Sequence, residues 1–573
     1  MQAGNFMNCK NDIAKKNKLL ILSVLRLIKR YIDHILLLHF PFLQWLRLRA
    51  RFSLKLKRTL KKQLKFHIKQ PISNVGGIGK RILMPQIETS HYQYYQMFIL
   101  AKALQLRGAE VKILLCGSRL DGCELKNVRN SMIKDPCLNC RFNHEYVAPM
   151  YGLDIAKLSD FISDQKVSSL QKTAAQIAED YPQHYYYEGI DIIPMVNDSV
   201  IRFYYGAVPS DEALLIKLRK KHLLSSMIGV EVAEKIDKLF SPDVVLNNMF
   251  VYSVAEPYYQ YYGKKDGTKL FSVSNTPINY YSIILNIMDP YQSSKRYLQY
   301  LKFRGNNHLT ALEGVVLKEF INSRIKGEFH MFRDLNYFES NININEVLSI
   351  DRNKRNIFLF PSVYWDIGMS ESGQLFNSIV DFILATIDIL KEKKGMHLYI
   401  KAHPGEKYDS ASSLKGIENF IYEKYSKLPE NLTLILPEQK ISPYDLFPYI
   451  DLGVVYNGTL GLEMLLQNIP IVITGKAPYG RLGFAHEPLT LEEYIKILSG
   501  EIPPITPDKN EVELFAYFYF IKNCIPWNLT KRAYGDNFKG YTFASLDNIM
   551  PGKNKYLDHI CDCILKDKLP ESW

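Results

Sequence analysis

Two loops in the second half of the chain carry residue types suited to holding and cleaving a phosphate ester. Lys401-Ala402-His403-Pro404-Gly405-Glu406 follows an apolar strand expected over 396–400, and Asn457-Gly458-Thr459-Leu460-Gly461-Leu462-Glu463 follows another over 452–456. Loops at the carboxyl ends of parallel strands are where open α/β sheets receive nucleotides. A cation such as Lys401 in one loop and a helix start in the next can hold phosphate between them. The chemistry this suits is transfer from a nucleotide-activated donor, in which an anomeric carbon–phosphate bond breaks and an anion departs. Stabilising such an anion is usually the largest catalytic contribution. His403 is the natural group for it, as a neutral donor or as imidazolium. Pro404 fixes its own φ and confines His403 to an extended backbone. Thr459 and the N–H groups after Gly458 are placed to bond phosphate, a role compatible with Thr459 being only an N-cap. A further loop, 475–480, offers Lys476 and Tyr479 to close over the donor.

These residues resemble the C-terminal nucleotide-binding half of the bacterial capsule polysaccharide biosynthesis family, whose members include β-Kdo transferases that start capsule on a lipid. The likeness runs through His403-Pro404, Gly461, Glu463, Pro470, Gly475, Tyr479, Gly480 and Gly483, and covers roughly residues 355–490. It implies a GT-B glycosyltransferase fold: two Rossmann-like domains facing a cleft. It also implies a nucleotide-sugar donor, often CMP-linked, a glycan or glycolipid acceptor, no obligatory metal and no cofactor. Glu463 would then hold the ribose hydroxyls; from the residues alone it reads equally as an acid favouring a helix N-terminus. Where close relatives usually carry a Thr-Ser or Ser-Thr pair, this chain has Asn457-Gly458-Thr459, which leaves the donor sugar open.

A base for the acceptor hydroxyl is expected in the loop after the first strand of each domain. Glu88 in the first and Asp366 in the second are the candidates, each also readable as a turn or cap acid. The nearest rival is a CDP-polyol phosphate transferase of the teichoic-acid type, which usually shows a Ser-Ser loop followed by Asp. A UDP-sugar 2-epimerase would carry a Ser-Gly-Gly signature that is absent here. A non-catalytic assembly subunit built on the same fold is the alternative outside enzymes.

Charge separates the chain into two parts. The formal net charge is +13 over 573 residues. Residues 1–70 hold 17 Lys and Arg against Asp12 and Asp33, a net of +15, so the remaining 503 residues sum to −2. A neutral body gives no support to a basic nucleic-acid groove, and no nucleic-acid partner is expected. In the extension, Ser23, Arg26, Lys29, Arg30, Asp33 and His34 form one narrow polar stripe on an otherwise apolar helix. Charges at the centre of a spanning helix cost about 2.5–3.5 kcal/mol each, so the pattern suits a helix lying on an anionic surface. Phe40, Phe42 and Trp45 sit where interfacial aromatics would help; packing on the protein's own body is the alternative. No small-residue cleavage site follows the apolar run. The expected location is the cytoplasmic face of the cell membrane, as a peripheral protein.

Cys116, Cys123, Cys137 and Cys140 cluster in sequence, but the first pair has six residues between its members, wider than structural zinc sites usually show. A metal role for them stays open at this level. The expected organisation is a basic helical extension over 1–75, a Rossmann-like acceptor domain over 76–350, a Rossmann-like donor domain over 351–505 and a helical tail over 506–573. Alternating strands and helices argue for parallel sheets covered on both faces.

Overall fold

The computed structural model describes most of residues 79–572. The main stretches outside the description are 89–92, 131–133, 276–281, 287–291, 327–341, 366–373, 409–412 and 530–545. Before residue 79 it describes only Ile32, His39, Phe40, Phe42, Leu43, Trp45 and Leu46. The basic extension therefore lies almost wholly outside the described residues, and Asp366 lies outside them too.

The first domain opens with β1 (Arg81–Gln86), α1 (Gln93–Gln105), β2 (Glu110–Leu115) and β3 (Asp154–Lys157). It continues with α2 (Asp164–Glu179), α3 (Ile193–Phe203) and α4 (Glu212–Phe240), then β4 (Val244–Asn247), α5 (Tyr252–Tyr262), β5 (Lys269–Asn275) and β6 (Ser282–Asn286). α6 (Gln292–Arg304) and α7 (Ala311–Ile325) lead into a second unit. That unit runs through β7 (Arg355–Phe360), α8 (Ile379–Leu390), β8 (Met396–Lys401), β9 (Leu432–Ile435), β10 (Leu452–Val455), α9 (Leu460–Leu465) and β11 (Ile471–Ile473). α10 (Lys509–Tyr517), β12 (Ile525–Pro526) and α11 (Lys555–Lys566) complete the chain.

The strands order as β12-β6-β5-β4-β1-β2-β3 in one sheet and β9-β8-β7-β10-β11 in the other. Pairing is parallel throughout the second sheet and from β3 to β5 in the first; β6 and β12 add antiparallel edges. Buried strands such as Arg-Ile-Leu-Met-Pro-Gln and Leu-Gly-Val-Val are apolar in succession because helices cover both faces of a parallel sheet. Each sheet accordingly has two apolar clusters, one per face. Two Rossmann-like domains, as in the GT-B fold, are the architecture of the chain.

Both sheets reverse direction once. In the first the switch lies between β1 and β4, and in the second between β7 and β10. Open α/β sheets bind ligands in the crevice at such points.

Packing corrects the expected domain boundary. Helices between residues 292 and 348 contribute Tyr297, Tyr300, Leu317, Ile344 and Leu348 to the core around the second sheet. The boundary set by packing thus falls near residue 290, not at 350. The segment 154–180 begins with the strand β3 beside β2 and only then turns into α2. The tail returns to the first domain: β12 pairs with β6, and α11 buries Leu557, Ile560 and Ile564 in the core that also holds residues of α1.

Candidate active site

The second sheet's switch point brings the loops after β8 and β10, with His403 and Asn457, to either side of the end of β7. Ser362, just beyond β7, donates from its Oγ to Asn457 Oδ1 at 2.8 Å across the switch. The Asn457 carbonyl oxygen is thereby fixed, and its amide NH₂ becomes the donor open to a ligand. Asn457, Gly458 and Thr459 are all half-buried at the mouth. Thr459 makes no side-chain capping bond, so the N-cap reading gives no account of its hydroxyl.

His403 is exposed at the end of β8, where its Nδ1 accepts the Gly405 N–H at 3.0 Å. That bond assigns the proton of the neutral ring to Nε2, the nitrogen with which the ring can donate. Pro404 has no N–H, so Gly405 is the first backbone donor after the histidine that can reach back. A Cβ on Gly405 would stand 2.8 Å from His403 Nδ1, so a side chain there would displace the imidazole.

Lys401 departs from expectation. It is only 5% exposed, and burial lowers its ammonium to about 8. The charge read as a rim cation is an interior group that loses its proton about one pH unit above neutrality. Lys476 is half-buried on the following loop.

Two expected ligand contacts are corrected by burial. Glu463 is 3% exposed; its Oε1 accepts from Arg324 Nε at 3.0 Å and Nη2 at 2.6 Å, and its Oε2 accepts from the Tyr444 hydroxyl. With both oxygens engaged by protein and the group enclosed, it anchors α9 to α7 and does not present an acceptor to a ribose. Tyr479 is 1% exposed and donates its hydroxyl to the Gly458 carbonyl at 2.8 Å. It holds the donor loop from within and does not fold over it. A Cβ on Gly461 would fall 2.0 Å from the Tyr479 Oη. Gly461→Ala is therefore expected to push the ring out, break the bond to Gly458 and reduce nucleotide affinity and melting temperature together. A variant with wild-type values for both, by calorimetry and thermal unfolding, would contradict this packing.

Residues that sequence reasoning missed lie nearby. Glu406 is buried, its carboxyl pushed up to about 8 by burial, and its Oε2 accepts the Ile417 N–H at 3.1 Å. Arg324 stands 139 positions before its partner Glu463, and no local pattern announces the pair.

In the first domain, Glu88 lies at the end of β1, half-buried, and lines a pocket together with Glu124 and Arg202. The domains meet beside it. Tyr205, after α3, sits edge-on to Trp365 at 5.2 Å, and the Arg202 guanidinium lies 4.8 Å over the Trp365 ring. The Leu414 N–H donates to the Tyr205 carbonyl at 3.1 Å.

The thiols of Cys116, Cys123, Cys137 and Cys140 are not paired in disulfides. Among the described residues, no group of three or more His, Cys, Asp or Glu side chains is arranged to hold a metal ion.

Residues 286–494 match the model of the family described as capsule polysaccharide biosynthesis protein. No curated protein matches the chain. Among solved structures, the β-Kdo 2,4 transferase KpsC of Thermosulfurimonas dismutans overlaps 48% of this chain and 78% of its own, at 15% identity and a TM-score of 0.31. The β-Kdo 2,7 transferase KpsC of the same organism overlaps 50% and 79%, at 14% identity and a TM-score of 0.30. Anabaena Alr3699/HepE, in complex with UDP-glucose, overlaps 78% and 94%, at 11% identity and a TM-score of 0.25. With overlaps this loose, the fold rests on the strand orders described above. The family match spans α6, α7 and the whole second sheet, including the His403 and Asn457 loops, so it is this part of the chain that is similar to the capsule polysaccharide biosynthesis family.

Proposed function

We propose that the chain is a glycosyltransferase that draws a sugar from a nucleotide-activated, CMP-linked donor to build capsule or a related cell-surface polysaccharide. The observation that carries this reading is the meeting of three loops, after β7, β8 and β10, at the second sheet's switch point. There the Ser362–Asn457 bond fixes the loop that receives phosphate, and His403 stands exposed with Nε2 as its donor. His403 then stabilises the departing phosphate. The Thr459 hydroxyl and the N–H groups at the start of α9 bind the same anion. The direct test is release of nucleotide from CMP-, CDP-, UDP- and GDP-linked sugars in the presence of glycoside acceptors. Release from the CMP-linked donor is expected to be fastest. Preference for a CDP-linked polyol would favour a polyol phosphate transferase instead.

We further propose that the basic extension seats the enzyme on an anionic membrane face, where a glycolipid acceptor is presented. The charge partition supports it, as does the exposure of Phe40 and Phe42, at 53% and 69%. Trp45, by contrast, packs against the first domain's core. No described helix is long and apolar enough to cross a membrane. Each basic residue near an anionic surface contributes about 1 kcal/mol, and apolar burial adds a part that salt does not screen. Deleting residues 1–70 should release the protein from anionic liposomes while transfer to a soluble acceptor continues. A truncated chain that still co-sediments like the full one would contradict the proposal, and an insoluble truncation would favour packing on the body.

A further inference from the structure

The first domain's switch point, between β1 and β4, holds a second built site. A pocket of about 60 Å³ is lined there by Glu88 after β1, Glu124 from the turn Glu124–Lys126, Arg202 of α3, Asn248 after β4 and Tyr252 at the start of α5. By volume it admits about four to six waters, enough for the hydroxyl-bearing edge of a sugar. Its floor is fixed by Asn247, whose Oδ1 accepts from Gln86 Nε2 at 2.7 Å and from the Asn248 N–H at 2.9 Å. Tyr252 is held at φ 65°, a left-handed conformation that persists in a non-glycine residue only where its surroundings impose it, commonly at functional sites.

Of the residues lining the pocket, Glu124 is incompletely bonded. Glu124 Oε1 is buried with no hydrogen-bond partner. A buried acceptor in that state is costly unless a ligand or water completes it. Burial pushes the Glu124 carboxyl up to about 8; its own backbone N–H opposes the shift, the Glu88 carboxylate adds to it and the Arg202 guanidinium opposes it. A carboxyl that titrates near neutrality is matched to taking a proton from a hydroxyl. Arg202 also ties the pocket to the donor half, because Trp365, over which it lies, follows Ser362 in the loop after β7.

We propose that Glu124 is the catalytic residue that accepts the proton of an acceptor hydroxyl seated in this pocket, with Glu88 and Arg202 setting its charge. The assignment rests on the transferase reading above. In the step, the acceptor O–H bond breaks and its proton passes to Glu124. The freed oxygen bonds to the anomeric carbon. The anomeric carbon–phosphate bond breaks, its electron pair leaving on the phosphate beside His403, and Glu124 later yields the proton to solvent. Among the described residues, the titratable and charged groups facing Glu124 are Glu88, Arg202, Cys123 and Tyr252.

Full-length Glu124→Gln and Glu88→Gln test this against CMP-, CDP-, UDP- and GDP-linked sugars with alkyl glycosides as acceptors. Glu124→Gln should keep wild-type nucleotide affinity and melting temperature while transfer falls by about 100-fold or more. Glu88→Gln should move the midpoint of the rising kcat limb to lower pH, since loss of the neighbouring carboxylate eases ionisation of Glu124. Transfer by Glu124→Gln within about threefold of wild type, or joint loss of affinity and melting temperature, would overturn the assignment. An infrared pH titration supplies a readout that needs no donor. A protonated-carboxyl band that titrates near pH 8 in the wild type and loses part of its intensity in Glu124→Gln, the remainder belonging to Glu406, supports the assignment. A spectrum unchanged by the substitution overturns it. That band together with no nucleotide binding would contradict the transferase reading alone.

Discussion

Replacing His403 with alanine is expected to lower glycosyl transfer by about 10²–10³-fold, the usual cost of removing one preorganised donor to a developing anion. The nucleotide should still bind, because the Asn457–Thr459 loop and its support by Ser362 and Tyr479 do not depend on the imidazole. The fold should also be retained. His403 is exposed, and the bond it accepts from the Gly405 N–H can pass to water. Single-turnover kinetics with a saturating sugar nucleotide separate this outcome from a binding defect. Loss of affinity at unchanged turnover would mean that the ring positions the donor and does not stabilise the leaving phosphate.

Arg324→Ala should give the largest loss of stability. The guanidinium makes two hydrogen bonds to a carboxylate that is almost fully enclosed, and it lies 5.5 Å over the Phe520 ring. Truncating it leaves the Glu463 carboxylate buried with the Tyr444 hydroxyl and no counter-charge. Breaking a buried pair from one side costs about 3–5 kcal/mol, and because the Arg324 side chain is 21% exposed the lower end applies. For a domain of this size about 3 kcal/mol corresponds to a fall of about 6–12 °C in Tm. Nucleotide affinity should fall less than stability, since α7 supports α9 and does not reach the loop mouth. Differential scanning calorimetry beside nucleotide titration measures both. An unaltered Tm with abolished binding would restore Glu463 as a ligand residue.

The parallel strands were legible because each is a short apolar run closed by a loop of distinctive residues. The switch-point loops could be placed as soon as those runs were ordered. β3 was not, because its four residues, Asp154–Lys157, bury only one side chain at the sheet's edge and leave no periodic signal. The helices between 292 and 348 were assigned to the wrong domain for a different reason. Their sequence shows amphipathic helices but not which sheet they cover, and the contacts of Tyr297 and Leu317 decide it. Within the candidate site, residue type singles out His403, whereas the burial of Glu463, Tyr479 and Lys401 is set by packing that residue type does not announce. Glu124 gave no signal at all: it stands in a three-residue turn within a cysteine-bearing loop, and only the fold brings it beside Glu88 and Arg202.

The most direct measurement is calorimetric binding of CMP, CDP, UDP and GDP to the full chain, each in two buffers of different ionisation enthalpy at pH 8.5. Lys401 ends β8 two residues before His403, with its ammonium lowered to about 8, so at that pH most of it is neutral. A bound phosphate favours the charged form and raises the pKa, so binding must take up protons and the apparent enthalpy must change with the buffer. The same sign governs stability: the unfolded chain holds the Lys401 proton to a higher pH than the folded one, so this group's contribution rises with pH between about 8 and 10.5. The account predicts that CMP binds tightest, with proton uptake. Failure of all four nucleotides to bind would contradict it.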